Sequence, residues 1–286
     1  MIKVEFPHGD DILEYISVAI KVMNEMEEEF YKTKQISLDL SSVKWFIPCP
    51  MILMSNKIRE LLDHGAQSIM YKEPEKENVR EHLQKIGFPL GTKEDGSSYV
   101  SIKHFRKNLE DKNQVNREVN ELMTIIEKKI PFQFGESIKY ILGELSDNID
   151  EHSNFECASL MAQYFPKKEI VDIAVFDNGV SIPKLFEEHN IPFDGDRDAI
   201  KKAVWGEVTT KKNEEMRGFG LRTCKNLSTE GLKGELYIVS RRGILILKSG
   251  KEPIFYELDK NPLKGTFIYL RLRTPKKKVN IYDWVE

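Results

Sequence analysis

Residues 136–152 constrain this chain more than any other stretch. At about 100° per residue, Ile138, Ile141, Leu142, Leu145 and Ile149 fall on one stripe of a helix, which must be buried against something. Asp147 and Asp150 point away from that stripe. Glu144 and Asn148, four residues apart, stack at its border. A carboxylate and a carboxamide placed between core and surface can address one ligand: the first polarises a water, and the second offers an oxygen to a hard cation such as Mg²⁺. Polar borders are the norm on amphipathic helices, so this helix alone does not decide between a site and an ordinary surface. The residues downstream do.

Composition excludes several classes. A chain of 286 residues has room for about two domains of ~100–200 residues each. Its 40% hydrophobic and 31% charged content is that of a soluble globular protein. A net charge of −3 gives no strong nucleic-acid signal, and Lys276, Lys277 and Lys278 read as a solvated tail. No apolar run approaches the ~20 residues that span a bilayer, and no signal-peptide pattern is evident. Cys49, Cys157 and Cys224 are odd in number and widely spaced, which predicts free thiols in a cytoplasmic setting and no zinc site.

The first hundred residues read as a small α/β unit. Strands are predicted over 2–6, 35–40 and 67–70. Helices are predicted from a cap at Asp10 or Asp11 to about Tyr31, over 52–63, and over 76–86. Strand, helix and strand in alternation imply parallel pairing through crossover helices. Residues 91–100 have loop composition, and 108–129 form a charged helix that could bridge two domains or pair with a second copy. His104, a lone histidine, is expected to be an ordinary exposed one.

"ISLDLSSVKWF", "MILMSNKIRELLDHGAQSIMY" and "VREHLQKIGF" give residues 1–90 a resemblance to the STAS family of anti-sigma-factor antagonists. That family carries a phosphorylatable serine after the central strand. Here the place is held by Ile47, Pro48, Cys49 and Pro50, so the resemblance implies a docking piece and not a phosphoswitch.

Beyond residue 130 the motifs accumulate. Strands are predicted over 157–165 and 170–176, the second running into "DNGVSIP"; a carboxylate at a strand end before glycine suits close backbone approach to a ligand. "RGFGLRTC" then opens a helix with glycines at its positive end. Further antiparallel strands are predicted over 235–240, 244–248 and 265–272. There is no Walker loop, and "GVSIP" lacks the closing glycine of a serine-hydrolase elbow.

In order and spacing, "ELSDNIDEH", "DNGVSIP", "GFGLRTC" and "KGTFIYL" resemble the asparagine box, two glycine boxes and closing strand of the GHKL ATPase family, over about residues 131–272. The resemblance implies a Bergerat-type α/β sandwich, a mixed sheet with helices on one face, over 131–286. A STAS-like α/β domain (1–100) and a linking helix (101–130) would precede it. It implies ATP and Mg²⁺ as ligands. Asn148 would bind the metal, Glu144 would be the general base, and Asp177 would accept the adenine amino group. Gly179 would admit the nucleotide, Gly218, Gly220 and Leu221 would close over the phosphates, and Thr266 would support the adenine site. Lys211, Lys212 and Arg217 could add charge to that lid. Ser181 departs from the family, which has a glycine there, and puts turnover in more doubt than binding. The resulting expectation is a cytoplasmic, Mg²⁺-dependent ATP-binding regulatory protein that hydrolyses ATP slowly and acts on a protein partner. A serine/threonine kinase of the anti-sigma type and a non-hydrolysing, ATP-gated interaction module are the alternatives.

Overall fold

The computed structural model describes residues 1–7, 9, 11–92, 94–107, 114–134, 136–208 and 220–284. The chain begins with β1 (Ile2–Lys3), α1 (Ile12–Thr33), β2 (Gln35–Asp39), α2 (Pro48–Asp63), β3 (Ser68–Lys72) and α3 (Glu77–Lys85). The three strands form a parallel sheet in the order β1-β2-β3, as the alternation with helices requires. Asp11 caps α1, its side chain accepting the Leu13 N–H at 2.9 Å, and Lys34 ends the helix in a left-handed conformation. Helix α2 starts four residues before the predicted point. Pro48 lies in its first turn, where the missing N–H costs nothing.

Next come β4 (Tyr99–Arg106), α4 (Gln114–Glu127), α5 (Ser137–Asn148), β5 (Cys157–Phe165), β6 (Ile170–Asp177), α6 (Ile182–Glu188), α7 (Gly195–Trp205) and α8 (Gly220–Asn226). Strands β7 (Glu235–Arg241), β8 (Gly243–Lys248), β9 (Ile254–Glu257) and β10 (Leu263–Arg273) complete the set. The second sheet has seven strands in the order β4-β5-β6-β10-β7-β8-β9, all antiparallel. The protein is therefore mixed α/β, with a small parallel sheet and a large antiparallel one.

The two sheets share their packing. Every residue of β6 is buried, which an antiparallel strand with one wet face cannot achieve. Val171, Ile173 and Val175 join the core formed with α4, α5 and α7, while Ala174 and Phe176 join the core of the N-terminal unit. Alternate residues thus serve opposite layers. Helix α2 fills the space between the sheets, so Pro48 through Lys57 are all buried and no polar stripe faces water.

Strand β4 was not predicted from the sequence, which treated 91–100 as a loop. Its alternation is broken by a register shift between Val100 and Lys103. Val100 and Phe105 therefore face the helix layer while Ile102 faces the N-terminal unit. The expectation of an exposed His104 is also corrected: the ring is half-buried against α2. Asn56 donates to Ser159 Oγ (2.8 Å), and because Ser55 spends its one proton on the Pro89 carbonyl, His104 Nδ1 is the ring's acceptor and takes the Ser159 proton (2.7 Å). Nε2 then carries the ring proton and donates to Ser55 Oγ (3.0 Å), which donates to the Pro89 carbonyl. Burial and the nearby charges of Arg59 and Arg106 push the imidazole down to about 4, consistent with this neutral tautomer.

Cys49, Cys157 and Cys224 are buried and unbonded, as expected. Among the described residues, no helix is long and apolar enough to cross a membrane. On the sheet face toward α2, Arg271 forks onto Asp172, its register partner on β6, at 2.9 and 2.7 Å; Asp172 is fully buried. Removing one member of such a pair strands the other charge. Arg271→Met should lower unfolding free energy in urea by about 3–5 kcal/mol, and adding Asp172→Leu should recover most of that loss.

Candidate functional site

Helix α5 forms as its stripe predicts: Ile138, Ile141, Leu142, Leu145 and Ile149 are buried, while Glu144 and Asn148 are half-buried at the border. The helix does not simply continue to residue 152. At Ile149–Ser153 it widens into a π turn, and Asn154 (φ 44°) ends it in a left-handed conformation. π turns cluster at functional sites. This one brings the Ser153 carbonyl onto the loop after β6, where it accepts the Val180 N–H. A Cβ on Gly179 would overlap that same carbonyl, so glycine is required here for backbone-to-backbone approach.

Asp177 ends β6 and is 4% exposed. Its Oδ1 accepts the Gly179 N–H at 3.0 Å. Burial pushes its carboxyl up to about 7; hydrogen bonds from the Gly179 backbone, the Ser153 hydroxyl and the Thr266 backbone act in the opposite sense. Thr266 lies directly across from Asp177 on β10, its Oγ1 3.0 Å from Ser240 Oγ. Gly265 has φ 92°, and a Cβ there would overlap the Asp177 carbonyl.

Glu144 meets the start of α8. A Cβ on Gly220 would overlap its Oε2. Tyr140, one turn earlier on α5, has a hydroxyl pushed up to about 12 by burial and then by the Glu144 charge, and it also hydrogen-bonds Thr223 on α8. Leu221 packs half-buried against the helix-layer core. The Asn148 Nδ2 atom is buried without a hydrogen-bond partner among the described residues. Gly218, Lys211, Lys212 and Arg217 lie outside the described residues.

The expected site residues therefore fall into two pairs, Glu144 with Gly220 and Asp177 with Thr266. The π turn joins the pairs by carrying α5 onto Gly179. Among the described residues no three His, Cys, Asp or Glu side chains converge as a metal cluster. Mg²⁺, however, is held by one or two protein oxygens together with phosphates and water, so the Asn148 carboxamide near the Glu144 carboxylate is a compatible donor set.

Ser181 has a local task that explains its presence: it caps α6, its hydroxyl accepting the Lys184 N–H at 3.4 Å. Three contributors escaped the sequence analysis. Asn178, 1% exposed, accepts the Glu156 and Cys157 N–H groups at 3.0 and 2.8 Å and so stitches the loop to β5. Nothing in a turn-forming Asp-Asn-Gly announces that. Ser153 depends on a π turn that periodicity does not reveal. Tyr140 was within reach, since i and i+4 residues share a helix face. No protein-family model matches the chain, and no curated protein matches it.

The raised Asp177 carboxyl makes a signed prediction. The folded protein holds this proton more tightly than the unfolded chain, whose carboxyl titrates near 3.8. The penalty for ionising it is absent below about pH 4, grows up to about 7 and is complete above that. Asp177→Asn should therefore gain stability relative to wild type as pH rises from 5 to 8, by an amount on the order of a few kcal/mol. A gap in melting temperature that stays constant with pH would show that the carboxyl is not desolvated.

Proposed function

We propose that this chain is a Mg²⁺-dependent ATP-binding regulatory protein of the GHKL type, its large sheet and helix layer forming a Bergerat-type sandwich. The observation that carries this reading is the convergence of distant motifs: Glu144 on Gly220, Asp177 on Thr266 and Gly265, and Ser153 on Gly179. Each motif alone is a common local pattern. Contacts in pairs between stretches so far apart in sequence are what the resemblance leads one to expect.

In this reading Asp177 accepts the adenine amino group, with Thr266 beside it, and Gly179 lets the Ser153 carbonyl close on the turn that follows. Asn148 would hold Mg²⁺ through its carboxamide oxygen, and the metal would neutralise phosphate charge. Glu144 takes the proton from an attacking water, a contribution worth ~10²–10⁴-fold where hydrolysis occurs. Gly220 and Leu221 belong to the segment that closes over the phosphates. The N-terminal unit is STAS-like, and it docks on the same chain's large sheet. Ile47, Pro48, Cys49 and Pro50, the stretch at the family's phosphoserine place, are all buried, so that surface is already occupied.

One observation favours the gated-module alternative. The Glu144 carboxylate rests on Gly220 and hydrogen-bonds Tyr140, so protein groups already engage it. Calorimetric titration with Mg²⁺-ATP, followed by phosphate release from wild type and Glu144→Ala, separates the readings. The expected result is binding by both proteins with slow release by wild type, cut ~10²–10⁴-fold in the variant. Binding without release in either protein would mark a gated module or a kinase awaiting its substrate. Absence of binding would overturn the proposal.

A further inference from the structure

Helix α2 belongs to the N-terminal unit, yet it reaches the loop that carries Asp177 by two separate arms. The first is Asn56, fully buried, whose Nδ2 donates to the Cys157 carbonyl at 3.1 Å. That same carbonyl accepts the Asn178 N–H at 3.1 Å. Asn178 sits between Asp177 and Gly179, so a single carbonyl oxygen ties α2 to the turn. The Asn56 carboxamide is kept although its Oδ1 has no partner among the described residues, a cost that an apolar side chain would avoid.

The second arm is Glu60, one turn along α2 on the same face. Its Oε1 accepts from Lys264 Nζ at 3.2 Å, and its Oε2 accepts from the buried Lys57 at 3.3 Å. Lys57 also pairs with Glu27 of α1 at 2.8 Å. Lys264 precedes Gly265 and Thr266, the residues that flank Asp177 from β10. Lys264 also reaches Glu156 at 3.5 Å, next to Cys157.

The two arms hold opposite sides of one residue. Asn56 fixes the turn that follows Asp177; Glu60 fixes the strand start that faces it. We infer that Asn56 and Lys264 are positioning residues, through which the N-terminal unit holds the Asp177–Gly179 turn in the geometry that accepts a base. This rests on the proposed nucleotide site for its functional part, but not for its structural part. The N-terminal unit is thereby more than a cover for the sheet.

The test uses the full chain and the variants Asn56→Leu, Lys264→Met and Lys264→Arg. Lys264 is half-exposed, so Lys264→Met keeps the test alive even where Asn56→Leu fails to fold. Amide hydrogen exchange over residues 177–182 should accelerate ~10-fold in Asn56→Leu and several-fold in Lys264→Met, since each removes one of the restraints that close the turn. Exchange elsewhere in the sheet should stay unchanged. The Kd for Mg²⁺-ATP should rise by a similar factor, with phosphate release at saturating ATP unaltered because Glu144 is untouched. Lys264→Arg should behave as wild type. Unchanged exchange in the folded variants would overturn the inference, and so would a general loosening of the whole sheet, which marks a merely structural role. Should wild type bind no nucleotide, the proposed function falls and the exchange data alone decide the positioning.

Discussion

The structure depends on the burial of α2 between two sheets. A helix buried around most of its circumference needs partners on every side, and the N-terminal unit, through its sheet and α1, supplies only some of them. The rest come from the face of the seven-stranded sheet built from alternate residues of β5, β6 and β10. Because β6 is buried at every position, neither sheet can shed the other without exposing a continuous apolar face. The polar groups trapped in this layer are the ones that need exact partners: the Asp172–Arg271 fork, the directed hydrogen-bond chain through His104, and Asn56. They give the packing one register where apolar contacts alone would tolerate several.

The other face of the large sheet sets the electrostatics of the proposed site. Asp177 shares the helix-layer face of β6 with Val171, Ile173 and Val175, with Ala158 and Thr266 as register partners, and burial there raises its proton affinity. A carboxyl that titrates near neutrality and faces backbone donors is suited to a ligand that offers its own donor on arrival. The opposite side of the site, Glu144 on α5, is held by α8 and by Tyr140. The π turn at Ile149–Ser153 carries α5 onto the loop after β6.

Much of this was legible in the sequence. The stripe on α5, the strand at 157–165, the parallel order of the first three strands and the free cysteines follow from periodicity, alternation and cysteine spacing. Glu144 and Asn148 were placed at a helix border by geometry alone, and the structure puts them there. What escaped has physical causes. Strand β4 hides behind a bulge that breaks its alternation. His104 looked like a surface residue because its partners, Ser55 and Ser159, are remote in sequence. Asn56 carries a role that exists only once α2 meets β5, and Asn178 one that exists only once the loop after β6 meets β5. Contacts between units leave no local pattern, so the interface was the part least open to sequence reasoning.

The account's central claim is that Asp177 and Asn148 address the two ends of one nucleotide. A crystal structure of the full chain with Mg²⁺ and a non-hydrolysable ATP analogue tests it directly. The account predicts the adenine amino group on the Asp177 carboxylate and the metal on the Asn148 carboxamide oxygen, with Glu144 facing the terminal phosphate. A base bound elsewhere, or a metal held without Asn148, would contradict it.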